Sequence, residues 1–402
     1  MRNKLTLLIA FAAVLAVSCE KSDADRLEKI GIQDLTTISV PGINLTKSEV
    51  EMTDSINAFA YDLYSQAYEE GKDIFISPFS ISIALSMLTT GASGNTEAEL
   101  LKLLGFGGRT AAELDAYYSK VMGNMASQDP STTLSIANAI WSSKDIILKT
   151  QFIKDCENYF SSTAESVDFS DAATLGKLNA WVSDHTNGKI DRMFDELSPD
   201  TKTVLANALY FKAKWAFEFV RSGNRLLAKV RTAYCENDRC SIVSLPYGNG
   251  AFSLKIFLPS ANSSLKEVVE NLDKLNDWHY TTYETANVSL DMPAFSFSYD
   301  RKLGDDLRKM GVRDAFDPNN ADFSKMTELP LYVGNVIHRA FVDVNEKGTE
   351  AAAVTAVEME CADAGPSQKE PRDVNFTVDR DFIFEIIDRS SGTVVFIGQH
   401  KM

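Results

Sequence analysis

The chain has 402 residues, 45% of them hydrophobic and 24% charged, a composition that excludes a disordered segment or a protein embedded throughout in a membrane. Its formal net charge of -16 argues against a nucleic-acid binder, because phosphate recognition needs clustered Lys and Arg that an acidic surface opposes. The five cysteines lack metal-ligand spacing and the four histidines are scattered, so neither a metal site nor a cofactor is expected.

Residues 1–18 join Arg2 and Lys4 to the apolar run LTLLIAFAAVLAV and then to small residues, the layout of a cleaved export signal. Cys19, directly after Ala16-Val17-Ser18, resembles the acylated cysteine of a bacterial lipoprotein box, with plain secretion as the alternative. Residues 19–48, which begin with the polar run EKSDADRLEKIG after that cysteine, read as a lipid-anchored tether to a domain spanning 49–402. The expected place is a bacterial envelope membrane, touched only through the lipid, or the extracellular space.

From Ser48 to Glu70, Ile56, Phe59, Ala60, Leu63, Tyr64 and Ala67 recur at helical spacing. After Ser77-Pro78 the run FSISIALSMLTTGA predicts a helix buried nearly all round, and Thr96-Glu97-Ala98-Glu99 reads as the capping box of the next. Strand-like runs follow at 133–141, 204–211, 253–259, 288–297 and 336–344, with helical stretches near 172–185 and 300–310. Cys235 and Cys240 are near enough in sequence to bridge in an oxidising compartment, if the geometry allows. The terminal FIFEIIDRSSGTVVFIG predicts a hairpin turned at Ser390-Ser391-Gly392. Helices and strands mix without a regular βαβ period, which indicates an α+β fold.

Between Glu346 and Ala362 lies EKGTEAAAVTAVEMECA. After Gly348 its charges (Glu350, Glu358, Glu360) fall at even positions, whereas odd positions hold Thr349, Ala351, Ala353, Thr355, Val357, Met359 and Cys361. That period of two predicts a strand with one uncharged face, ending where Asp363 breaks the rule. Its side chains are too small to gain much from any single arrangement, as in a strand held in reserve. An Ala-rich helix is the competing reading, with Glu346 and Glu350 one turn apart. The β-branched Val354, Thr355 and Val357 favour the strand.

The motifs DIFISPFSISIALSMLTTGA, LSIANAIW, LANALYFKAKW, LPYGNGAFSLKIFLP, YDRKLGDDLRKMGVRDAFDPNNADFS and NEKGTEAAAVT, in this order, resemble the serpins, the serine protease inhibitors, over most of residues 49–402. The resemblance implies three β-sheets and about nine helices, with an exposed reactive-centre loop. A protease cuts that loop as a substrate. The freed arm then inserts as a new strand of the main sheet and drags the acyl-enzyme to the far pole, where deacylation stalls. Such a protein is a monomeric suicide inhibitor rather than an enzyme.

By the same resemblance, Glu346, Gly348, Thr349, Glu350, Ala351, Ala352 and Ala353 form the loop hinge. Ser77, Ser80, Asn207 and His338 form a buried polar shutter, and Trp215 marks the breach where insertion starts. Counting on from Glu346 places the reactive bond at Ala362-Asp363, with Cys361 the runner-up. A small residue at Ala362 suits elastase-like serine proteases with shallow pockets, and papain-like cysteine proteases are a second class of partner. A Ser-His catalytic site at Ser77 and His338 is the competing reading, but no Gly-x-Ser-x-Gly elbow surrounds Ser77.

Two departures stand out. The stretch from Trp215 to Leu245-Pro246-Tyr247 is shorter than the family's by two or three strands' worth, which leaves a non-inhibitory serpin-fold binding or decoy protein as the alternative function. The segment after Asp363, AGPSQKEPRDVNFTV, is longer than usual; a bond further along would carry charged Asp363 into the inserted face, so Ala362 is kept.

Overall fold

The computed structural model describes residues 26–272, 283–334, 336–349 and 370–402. Eight α-helices lie within them: α1 Lys47–Ala67, α2 Pro78–Gly91, α3 Gly94–Leu103, α4 Ala111–Ser127, α5 Thr150–Phe160, α6 Ala172–His185, α7 Leu265–Val269 and α8 Gly304–Lys309. Thr46 starts α1 with a reciprocal cap: its hydroxyl accepts from the Glu49 amide at 3.2 Å, and the Glu49 carboxylate accepts from the Thr46 amide at 2.6 Å. The expected box at Thr96 is not formed. The Thr96 hydroxyl sits inside α3 and accepts from the distant Asp322 amide at 3.0 Å, so a tertiary bond displaces the local cap and the helix begins at Gly94.

The strands are β1 Gln33–Asp34, β2 Ile74–Ile76, β3 Thr133–Ser143, β4 Thr163–Val167, β5 Thr203–Lys214, β6 Val220–Ser222, β7 Arg225–Glu236, β8 Cys240–Pro246, β9 Phe252–Pro259, β10 Glu284–Pro293, β11 Phe295–Lys302, β12 Ile337–Asn345, β13 Gly348–Thr349, β14 Arg372–Thr377, β15 Phe382–Asp388 and β16 Thr393–His400. They form two sheets. One runs β11-β12-β13-β5-β3-β4, and the other β14-β10-β7-β8-β9-β15-β16-β2 with β1 and β6 added beside β7. The α+β architecture is the one expected, but sets of strands expected as separate sheets are continuous here because the long β7 pairs with β10 on one edge and reaches β8 on the other.

The other edge of β7 shows how the short stretch after Trp215 is accommodated. Its residues are paired in turn by β6 at 225–227, by β1 at Val230 and Arg231, and by β8 from Tyr234. The backbone groups along that edge are thus largely covered, β1 supplying the middle. The tether reading of residues 19–48 is corrected accordingly for residues 26–46. Leu35 is buried, Ile38, Ile43 and Leu45 pack against the core, and Gln33 exchanges two hydrogen bonds of 2.9 Å with the Glu218 backbone. Those apolar anchors bind the segment to the domain instead of leaving it as a spacer. On the β7–β8 hairpin Cys235 lies opposite Ile242, one step diagonal to Cys240, and the two are not joined by a disulfide.

The main core lies on one side of the six-stranded sheet, where α2 packs against β5 and β16. On the other side α6 closes a smaller cluster of Trp141, Leu178, Val182, Phe194 and Ala206. Among the described residues no helix is long and apolar enough to cross a membrane.

Candidate functional site

The six-stranded sheet is split. Among the described residues β5 and β12 share no ladder and are joined only through the two residues of β13, Gly348 opposite Lys214 and Asn345, and Thr349 opposite Ala213 and Val344. Gly348 has φ +146, and a Cβ there would stand 2.0 Å from the Ala213 carbonyl oxygen, so this chain reversal requires glycine. Thr349 is only 3% exposed, which means that the hinge already occupies the top of the gap.

Aromatic rings wall this top end. Trp215 donates from Nε1 to the Asn345 carbonyl at 2.8 Å, and its backbone amide donates to the Lys347 carbonyl at 3.2 Å, so it grips the turn between β12 and β13. Its ring stacks on Tyr247 at 4.4 Å and meets Phe219 edge-on at 5.3 Å. The Tyr247 hydroxyl stands 2.6 Å from the Thr349 hydroxyl, and burial holds it well above the usual tyrosine range, so it stays protonated. Glu346 is ion-paired with Arg221 at 2.7 Å; a hydrogen bond from that guanidinium keeps its carboxyl below the ordinary range.

Below Thr349 the gap widens into a cavity of about 490 Å³ between β5 and the segment leading into β12, lined by Ser80, Leu205, Asn207, Tyr332, Ile337 and His338. Ser77, Ser80, Asn207 and His338, expected as a buried polar group, do come together here. The Ser77 amide donates to His338 Nε2 at 3.2 Å, and the Ser80 hydroxyl donates to Asn207 Oδ1. Asn207 Nδ2 in turn donates to Asn138 Oδ1 at 2.7 Å, and Asn138 Nδ2 to the Phe160 carbonyl at 2.6 Å. Desolvation lowers the His338 pKa to about 4, so the ring is neutral and its Nδ1 carries the proton.

This is no catalytic pair. The Ser77 hydroxyl caps α2, accepting from the Ser80 amide at 3.2 Å, and donates to the Val395 carbonyl at 2.8 Å, so His338 cannot act as its base. Among the described residues no group of three His, Cys, Asp or Glu could hold a metal ion.

Of the expected site residues, Glu346, Gly348, Thr349 and Trp215 lie together at the top of the split, Ser80, Asn207 and His338 line the cavity, and Ser77 bonds His338. Glu350, Ala351, Ala352, Ala353, Cys361, Ala362, Asp363 and Cys19 lie outside the described residues. Sequence reasoning missed Tyr247 and Arg221 as hinge partners. The run LPYGNG flagged Tyr247 as part of a motif, but nothing in the sequence places its hydroxyl against Thr349; Arg221 sits where the family resemblance lapses.

Residues 54–401 match the family described as Serpin (serine protease inhibitor). The human leukocyte elastase inhibitor is 32% identical over 383 residues, covering 87% of this chain and 99% of its own length. The solved native-state structure of the thermophilic serpin tengpin overlays with a TM-score of 0.77 at 26% identity, covering 94% of this chain and 98% of tengpin. Thyroxine-binding globulin in complex with thyroxine overlays at 0.74 with 28% identity, covering 86% of this chain and 98% of its own.

Proposed function

Because this chain belongs to the serpin family, we propose that it is a protease inhibitor consumed in its own reaction, acting on elastase-like serine proteases. The observation that carries the reading is the split between β5 and β12, primed at its top by Thr349 and open below over a polar floor. The segment that follows Thr349 in sequence has the period of a strand with one small, uncharged face, and it fits such a gap. From Thr349 to Ala362 it spans roughly 45 Å when extended. Cleavage at Ala362-Asp363 releases it to form ladders on both sides. At roughly 1 kcal/mol net per new hydrogen bond the gain is on the order of 10 kcal/mol, comparable with the whole stability of a domain. The uncut chain is therefore a kinetically trapped form. Export and lipid attachment at Cys19 belong to the same proposal and rest on the sequence of residues 1–19.

The test is to incubate the purified chain with an elastase-like protease and look for a covalent complex that survives boiling in detergent. Thr349→Arg should be cut without trapping, because a long cation cannot enter the buried place of Thr349. If wild type and variant are both merely cut, the protein is a non-inhibitory member of the fold, which is the alternative that the short stretch after Trp215 favours.

A further inference from the structure

Among the described residues the Thr349 side chain is held in the split by one hydrogen bond, shared with a residue that belongs to neither bordering strand. Tyr247 follows β8 and is fully buried. Its ring is pinned by stacking on Trp215 at 4.4 Å and by the Phe211 edge at 5.5 Å, so its hydroxyl cannot swing to follow a moving partner. Its amide also donates to the Phe252 carbonyl at 2.9 Å, which fixes the backbone. Among the described residues Thr349 is the one hydrogen-bond partner of that hydroxyl, at 2.6 Å. A buried hydroxyl left unpaired is costly, so wherever the inserting segment settles, an oxygen is wanted at this point.

The segment can meet that demand in one register. A slip of one residue would turn the face bearing Glu350, Glu358 and Glu360 into the core. A slip of two keeps the faces but offers the hydroxyl either Ala351, which has no polar atom, or Lys347, whose charge is costly to bury. We propose that Tyr247 is a positioning residue for loop insertion: its fixed hydroxyl captures Thr349 and sets the register in which the residues behind it enter between β5 and β12. This inference rests on the insertion reading above and adds to it the group that decides alignment.

The experiment compares wild type, Tyr247→Phe, Thr349→Val and the double variant, each as the full exported chain. Thermolysin cuts the loop without forming an acyl-enzyme, so insertion is followed apart from trapping, by the tryptophan fluorescence of the chain and by the gain in melting temperature after cutting. Tyr247→Phe keeps the stacked ring and removes only the hydroxyl. Each single change is expected to slow insertion by about fivefold, the worth of one hydrogen bond, with the loop cut at the wild-type rate. The double variant should insert no more slowly than either single one, because both remove the same bond. Wild-type insertion rates in Tyr247→Phe, or single effects that multiply in the double variant, overturn the role of Tyr247 alone. A cut wild type that melts no higher than the intact chain overturns the insertion reading and this one with it.

Discussion

Arg221 and Glu346 meet at 2.7 Å and tie the short strand β6 to the residue before the hinge turn. The pair is partly exposed, 46% and 30% for the two side chains, so solvent screening limits its direct worth. Arg221→Ala should cost under about 1 kcal/mol in chemical denaturation, and the loss should vanish in molar salt. Its larger effect is expected locally, as faster amide exchange at Gly348 and Thr349, since Trp215 would then be left to hold the turn. Amide exchange equal to wild type there would show that β6 does not brace the hinge.

Gly348 offers a sharper test of how the turn enters the sheet. With φ +146 and the Ala213 carbonyl 2.0 Å from any Cβ, alanine can be accepted only if β13 leaves its place between β5 and β12. Gly348→Ala should therefore expel Thr349, lower the fraction of protease trapped per cut, and reduce the rise in melting temperature that follows cutting. Unchanged trapping by this variant would mean that the hinge need not occupy the observed position.

His338 makes stability depend on pH in a defined direction. Its folded pKa of about 4 lies below the ordinary 6.5, so between these values the unfolded chain binds more protons than the folded one. Stability is then full above about pH 6.5, falls as pH drops toward 4, and is flat below that as far as this group is concerned. The gap corresponds to on the order of 3 kcal/mol at most. His338→Asn keeps a side-chain acceptor near the Ser77 amide and has no proton to gain, so its melting temperature should change less than wild type between pH 7 and 4. Parallel curves for the two proteins would remove His338 as the source.

Much of this site was legible in the sequence because it depends on spacing. The helix start at Ser77-Pro78 and the hairpin at Gly392 each follow from local rules repeated by several residues, whereas the strand expected from the period of two after Gly348 lies, from Glu350 on, outside the described residues. The relations that were not legible are long-range. The docking of Gln33 on Glu218 depends on which edge of β7 the shortened chain leaves bare, and no periodicity encodes that. Thr96 illustrates the converse, since its capping signature is locally sound but Asp322 claims the hydroxyl. Tyr247 likewise becomes a hinge partner only because β8 and β13 converge from far apart in sequence.

The register that places Thr349 opposite Ala213 and Val344 carries a consequence for Thr355. Extended unchanged, it sets Thr355 between Asn207 on β5 and His338 on β12 after insertion. Both line the open cavity, His338 buried and Asn207 half-buried, and the Ser77 amide already occupies His338 Nε2, which leaves the Nδ1 proton to donate. A hydroxyl arriving there can accept from His338 and donate toward Asn207; a methyl cannot. Thr355→Val conserves shape, so it should leave the stability of the intact chain unchanged while the cut, inserted form loses about 1 kcal/mol or more, the worth of a buried hydrogen bond and of the group it leaves unpaired. The comparison is made by denaturant titration of intact and cut protein, wild type against variant. Equal losses in both forms, or none in the cut form, would place Thr355 elsewhere and show that the segment does not enter in the register fixed at Thr349.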